Sequence, residues 1–188
     1  MQKSKVWSIK LTNMNTMKFF LVILTLSLFS SASAQTSKEL MIQEWERAKA
    51  YTKEYLDAMP EKDYGLKPTP DMRSFAGQML HLSEANYGFA AAASGLKSPF
   101  EQGALEKTTD LSKANVSKLV LDGYDFVIAA IKQMTPAQMD EQIKFFGRFD
   151  MSKGTAINKA FEHQTHHRGQ TTVYIRLAGA KPPQEKLF

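Results

Sequence analysis

The sequence predicts an all-α protein, a four-helix bundle. Three observations carry this. Apolar residues recur at helical spacing in four stretches of about 20 residues. Helix-capping residues and Pro or Gly breaks separate the stretches. No strand-like alternation of useful length appears outside 141–150. Four amphipathic helices of that length can bury one shared core, which is the bundle solution.

The first helical stretch runs from about Ser37 to Met59, with Leu40, Met41, Trp45, Ala48, Tyr55, Leu56 and Met59 on one face. Pro60 and the run Lys67-Pro68-Thr69-Pro70 end it. The second is expected to begin at Thr69-Pro70, a good N-cap followed by a good first helical residue. It runs to about Ser94, and Gly95 suits the position past a helix end. A polar loop follows, from about Leu96 to Leu111. The third helix starts near Ser112 and carries Val116, Val120, Tyr124, Val127 and Ile131. Thr135-Pro136 opens a short helix, and Phe145-Phe146-Gly147 follows it. Ser152 caps the fourth long helix, which ends at Gly179 before Pro182-Pro183. The linkers 96–111 and 134–152 are long for a simple up-down bundle, so at least one crossover connection is expected.

Residues 1–34 read differently from the rest. Met17-Lys18 opens an apolar run from Phe19 to Phe29, which leads into Ser30-Ser31-Ala32-Ser33-Ala34-Gln35. A basic start, about ten apolar residues and a small-x-small end form a secretory signal. A membrane span needs ~20 apolar residues, so the run is too short for one. We therefore expect a signal peptide over 1–34, with Met17 as the better start, and a mature domain over 35–188 in the periplasm or outside the cell.

That division changes the charge. The chain of 188 residues carries 24 basic and 19 acidic residues, a net of +5. Lys3, Lys5, Lys10 and Lys18 lie in the first segment, which has no acidic residue; removing those four leaves 20 basic against 19 acidic. A nearly neutral domain has no electrostatic footprint for nucleic acid. There is no cysteine. This excludes disulfides, thiolate metal sites, a cysteine nucleophile and a lipid anchor on cysteine. Any metal must be held by nitrogen and oxygen. The seven methionines left after the first segment, with the aromatic residues, fill the core or supply an interface for a homodimer.

All four histidines belong to one pattern. His81 lies midway in the second helix. His163, His166 and His167 fall in Glu162-His163-Gln164-Thr165-His166-His167-Arg168-Gly169-Gln170. Histidines four apart on a helix lie nearly one above the other, so both rings can reach one ion. With Ile157 at zero and about 100° per residue, Ile157, Ala160, Phe161, Ile175 and Ala178 define an inward arc. His167 falls within it, His163 just past its edge, and His166 on the opposite face. Arg168 also falls in the arc, where it would pair with a carboxylate or receive an anionic substrate. Val173 and Leu177 fall outside. In the second helix, His81 flanks the stripe of Phe75, Leu82 and Phe89 and lines up with Ala85, Gly88 and Ala92. Those small residues either leave space for an ion or ligand, or let two helices pack closely.

These residues resemble the DinB-like family of bacterial helical bundles. The resemblance rests on Gln78-Met79-Leu80-His81-Leu82-Ser83-Glu84-Ala85-Asn86 and, more specifically, on His163 followed four residues later by His167-Arg168-Gly169-Gln170. It covers most of 36–180. It implies a bundle of up-down-down-up order, metal ligands at His81, His163 and His167, a divalent ion such as zinc or nickel, and in some members a dimer. Some relatives transfer or isomerise with a low-molecular-weight thiol, which an exported protein would rarely meet.

Three neutral imidazoles leave a divalent ion its full charge and an open position, as in catalytic sites. Water there has its pKa lowered toward ~7. Glu84, one turn from His81, and Gln170, three after His167, are the candidate catalytic residues. Asp125 is a weaker one. Tyr87 and Tyr174 line the site or pack. The expected function is a divalent-metal-dependent hydrolase or transferase acting on a small molecule, or else a non-catalytic bundle that binds a metal or small ligand.

Overall fold

The computed structural model describes residues 37–188. The signal peptide expected over 1–34 lies outside the described residues. Helix α1 covers 37–58. A 3-10 turn, Glu61–Asp63, leads to α2, Phe75–Ser94, and α3 follows at Lys113–Gln133. A short helix, α4 at Pro136–Asp140, precedes the antiparallel hairpin of β1, Gln142–Phe145, and β2, Phe149–Ser152. Helix α5, Lys153–Leu177, closes the domain.

The caps explain most of these boundaries. Ser112, Thr135 and Ser152 each accept a hydrogen bond from a backbone N–H three residues on, satisfying a donor that the first helical turn leaves free. Thr135 and Gln138 form a full capping box. Gly95 and Gly179, both at positive φ, end α2 and α5.

The start of α2 corrects the sequence reading. Thr69-Pro70 has the right chemistry for a helix start, but the chain uses it in a turn, with the Met72 N–H bonded to the Thr69 carbonyl. The helix begins five residues later. Ser74 caps it by accepting from Gly77 at 3.0 Å, and the Phe75 and Ala76 N–H groups donate to the Leu66 and Tyr64 carbonyls. Tertiary hydrogen bonds thus decide between two competent caps.

The core is continuous. Leu56, Met59, Phe75, Leu82, Val120, Ile131, Ile157 and Ile175 are fully buried. Trp45 of α1 meets Tyr124 of α3 and Phe161 of α5 edge-on, at 5.7 and 5.3 Å between ring centres. Helices α2 and α3 approach closely where Gly123 faces Ser83; a Cβ on Gly123 would lie 2.4 Å from the Ser83 hydroxyl. Val173 and Leu177 are exposed, as the wheel placed them. Among the described residues no helix is long and apolar enough to cross a membrane.

Candidate metal centre

Helices α2 and α5 bring three imidazoles together. His81 comes from α2, His163 and His167 from successive turns of α5, and one ligand nitrogen of each lies within 4.8 Å of the others. Ring centres are 4.3 Å apart for His163 and His167, 4.6 Å for His81 and His167, and 5.1 Å for His81 and His163. His167 is buried, at 8% exposure, while His81 and His163 are half-buried. His166 is exposed on the other side of α5.

Two rings are oriented by their neighbours. The Tyr174 hydroxyl donates to the Arg73 carbonyl at 2.9 Å, so it must accept from Gln78 Nε2, 3.3 Å away. Gln78 Oε1 then faces His167 Nδ1 at 2.9 Å and accepts a hydrogen bond from its N–H. His167 is left with a bare Nε2. On His81, Nδ1 donates to the Glu106 carboxylate, which turns Nε2 toward the other two rings' side of the site. Such partners orient a ligand ring and raise its basicity. His163 Nδ1 is buried and has no hydrogen-bond partner. A buried polar atom without a partner is costly, so this nitrogen is one the chain itself does not satisfy.

The electrostatics keep the two rings on α5 neutral. Burial pushes the His163 imidazole down to about 4, with the nearby His81, His166 and Arg73 adding to the effect. Burial likewise pushes His167 down to about 3, helped by His163, His81, His166 and Arg73. Both rings are therefore unprotonated at neutral pH. Partial burial pushes the Glu106 carboxyl up, but its hydrogen bond to His81 and the charges of His81 and Arg73 prevail and hold it below its usual range. Arg73 lies 3.6 Å from Glu106.

The site opens outward. His81 and His163 form part of the wall of a cavity of about 500 Å³, enclosed by α2, the 98–106 loop and the hairpin tip. Ala85 and Gly88 line it, so these two small residues leave space rather than admit a neighbouring helix. Ala92, expected in the same row, is exposed.

The other sequence-predicted residues fall in different places. The Glu84 carboxylate accepts from the backbone N–H groups of Gly103, Leu105 and Glu106; it lines the cavity while holding the loop that carries Glu106. Gln170 bonds His166 at 3.0 Å, on the outer side of α5. Asp125 pairs with Lys49 at 2.6 Å on the α1–α3 surface. Tyr87 lines the cavity, and Tyr174 is buried beneath the triad. Arg168 meets neither a carboxylate nor the cavity. Its guanidinium donates to Gln164 at 2.9 Å and to the Ala48 carbonyl and Thr52 hydroxyl at 3.4 Å, and stacks 4.6 Å from the Tyr51 ring.

Sequence reasoning missed Gln78 and Glu106. Gln78 stands three residues before His81, within the motif, and its spacing was the available signal. Glu106 lies in an irregular loop, where no periodicity marks it.

The DinB family model matches residues 32–187. The chain belongs to the DinB family. Among curated proteins, YjoA of Bacillus subtilis is 30% identical over 132 residues, which are 68% of this DinB protein and 82% of YjoA. YrdA of the same organism is 41% identical over 58 residues, about a third of each chain. The fold matches a DinB-like protein from Bacillus cereus, with a TM-score of 0.68, 23% identity, and coverage of 79% of this chain and 97% of that one. It also matches the structure of B. subtilis YjoA, at 0.61, 24% identity, and coverage of 79% and 96%. B. subtilis YfiT matches at 0.59 and 16% identity, over 76% of this chain and 87% of its own; it is described as a probable metal-dependent hydrolase with an unusual four-helix bundle topology.

Proposed function

We propose that this DinB protein is a divalent-metal-dependent enzyme, a hydrolase or transferase acting on a small molecule. The observation that carries the reading is the convergence of His81, His163 and His167 at the wall of an open cavity, with Gln78 and Glu106 setting two of the rings. Zinc or nickel suits three imidazole donors. When bound there, such an ion would supply Lewis acidity, polarising a substrate oxygen and lowering the pKa of water. The chain's own residues hold His163 and His167 unprotonated, fix the orientation of His81 and His167 and keep one side accessible. The description of YfiT as a probable hydrolase leans the same way.

A second reading is a bundle that binds a metal or small ligand without turnover. One observation favours it. Of the carboxylates nearest the triad, Glu84 is engaged with three backbone N–H groups and Glu106 with His81, so neither is an unengaged general base. The catalytic roles expected of Glu84 and Gln170 belong to the enzyme reading and share its test.

We read the bundle order as up-down-down-up. Contacts of Lys38 with the Lys132 carbonyl and of Lys113 with the Asp57 carbonyl support antiparallel α1 and α3. Tyr174 beside Gln78 and His163 beside Phe89 support antiparallel α2 and α5. We also propose export to the periplasm or beyond, on the basic, apolar and small-residue pattern over 17–34. N-terminal sequencing of the exported protein would then start at Gln35.

The experiment for function is elemental analysis of untagged protein, followed by hydrolase and transferase screens with zinc or nickel restored. Metal-dependent turnover lost in His167→Ala supports the enzyme. A stoichiometric ion with no turnover, and no exchangeable water in the spectrum of cobalt-substituted protein, favours the second reading.

A further inference from the structure

We infer that the cavity beside the triad selects a molecule with an uncharged aromatic group, whose donor atom sits at the ion while its ring fills the cavity. This rests on the metal reading above. It goes beyond it by naming what the remaining space recognises.

The walls carry the inference. Tyr87, Phe89, Phe100 and Phe146 supply aromatic surface, and Ala85 and Gly88 leave the gap between them. The aromatic walls are held in place. Phe89 stacks on Phe145 with ring centres 4.5 Å apart and planes 18° from parallel. Tyr87 meets Phe100 edge-on at 5.2 Å. Offset-stacked and edge-on pairs are the favoured aromatic geometries, so a ring entering this space finds preformed partners. A volume near 500 Å³ lies within the range of small-molecule sites.

Phe146 marks the mouth. It is the one non-glycine residue at positive φ among the described residues, at 50°. A bulky residue there is a conformational outlier. The residue is 63% exposed; its ring lies against Phe145, at 4.1 Å between ring centres, and meets Phe89 edge-on at 6.5 Å. The hairpin turn thus holds a large apolar side chain at the cavity entrance at a backbone cost.

The charge pattern decides what kind of aromatic molecule fits. No Lys or Arg lines the cavity, but Glu84, Glu101 and Glu106 do. Arg73 is outside the lining and turned to Glu106. The Glu101 carboxylate has no partner among the described residues. An anionic group on the far side of the ring, away from the ion, would meet carboxylates with no basic side chain to compensate them, which is unfavourable.

Hydroxamic acids of graded shape test this on zinc-loaded protein, because one metal-binding head can carry different tails. Titration calorimetry should find benzohydroxamic acid binding about tenfold more tightly than acetohydroxamic acid. Adding a para-carboxylate to the ring should cost about tenfold. Gly88→Leu should shrink the ring's advantage below about twofold and leave zinc binding and acetohydroxamic acid binding unchanged. A Cβ at Gly88 meets nothing within 4 Å, and leucine is the better helix former, so this variant should fold. Equal affinity for the two parent hydroxamic acids would overturn the inference, as would an undiminished ring advantage in Gly88→Leu or tighter binding of the carboxylate. Failure of the metal reading looks different: the protein takes up no zinc, or holds zinc and binds neither head group.

Discussion

Helix α5 places two buried polar residues side by side, His167 and Arg168, and the chain treats them in opposite ways. Arg168 points toward α1. Gln164, Thr52 and the Ala48 carbonyl accept its hydrogen bonds and the Tyr51 ring covers its face. Tyr124 closes this network, donating to Gln164 at 2.8 Å and lying 2.7 Å from the Thr52 hydroxyl. His167 points toward α2. It is held by one hydrogen bond, beside a second ring that has a buried unpartnered nitrogen, and the cluster forms part of a cavity wall. Both regions take a polar group out of water, and only one of them satisfies it within the chain. The difference separates a polar network that ties helices together from one arranged to receive something.

Substitutions sharpen that contrast. The largest effect is expected at the ligands. His163→Ala or His167→Ala should lower zinc or nickel affinity by at least about tenfold, since a lost ligand should cost no less than a lost orienting partner. Competition with a chromophoric chelator measures it. Arg168→Met should do the reverse, costing about 2 kcal/mol of folding stability in urea denaturation while leaving metal affinity within about twofold. If Arg168→Met weakened metal binding as much as His167→Ala does, the two regions would not be separate.

Gln78→Leu should lower metal affinity about tenfold, because His167 loses the acceptor that sets its proton on Nδ1. The stability of metal-free protein should also depend on pH. With folded values near 4 and 3 against an ordinary 6.5, His163 and His167 bind fewer protons in the folded chain than in the unfolded one. Their contribution is complete above about 6.5 and is lost as pH falls through the folded values. Urea midpoints at pH 7.5 and 4.5 should show the fall, and the double variant His163→Ala with His167→Ala should flatten it. The smallest effect is expected at His166→Ala, which should leave metal affinity unchanged.

Much of this contrast could be read from the residues. Helical phase alone placed His167 inward, His166 outward, and Val173 and Leu177 outside the inward arc, because rigid α-helical geometry converts spacing into direction. Phase also placed Arg168 inward, but which groups it meets depends on α1, across 116 residues of chain from Thr52 to Arg168. The partners of the site were legible to different degrees. Gln78 lies one turn from His81 on the same helix. Glu106 arrives from a loop whose path is set by Glu84 gripping three backbone N–H groups, a long-range event with no periodic trace. Thr69-Pro70 shows the other limit: a local signal of good quality lost to Ser74 because the carbonyls of Tyr64 and Leu66 were in reach of the later start.

X-ray absorption at the zinc edge of untagged, zinc-loaded protein addresses the centre of this account most directly. The prediction is one ion per chain, bound by three imidazole nitrogens at about 2.0–2.1 Å with an oxygen donor in the remaining position. In His167→Ala the imidazole count would fall to two or the ion would be lost. Protein that retains no zinc, or zinc whose surroundings are the same with and without His167, would contradict it.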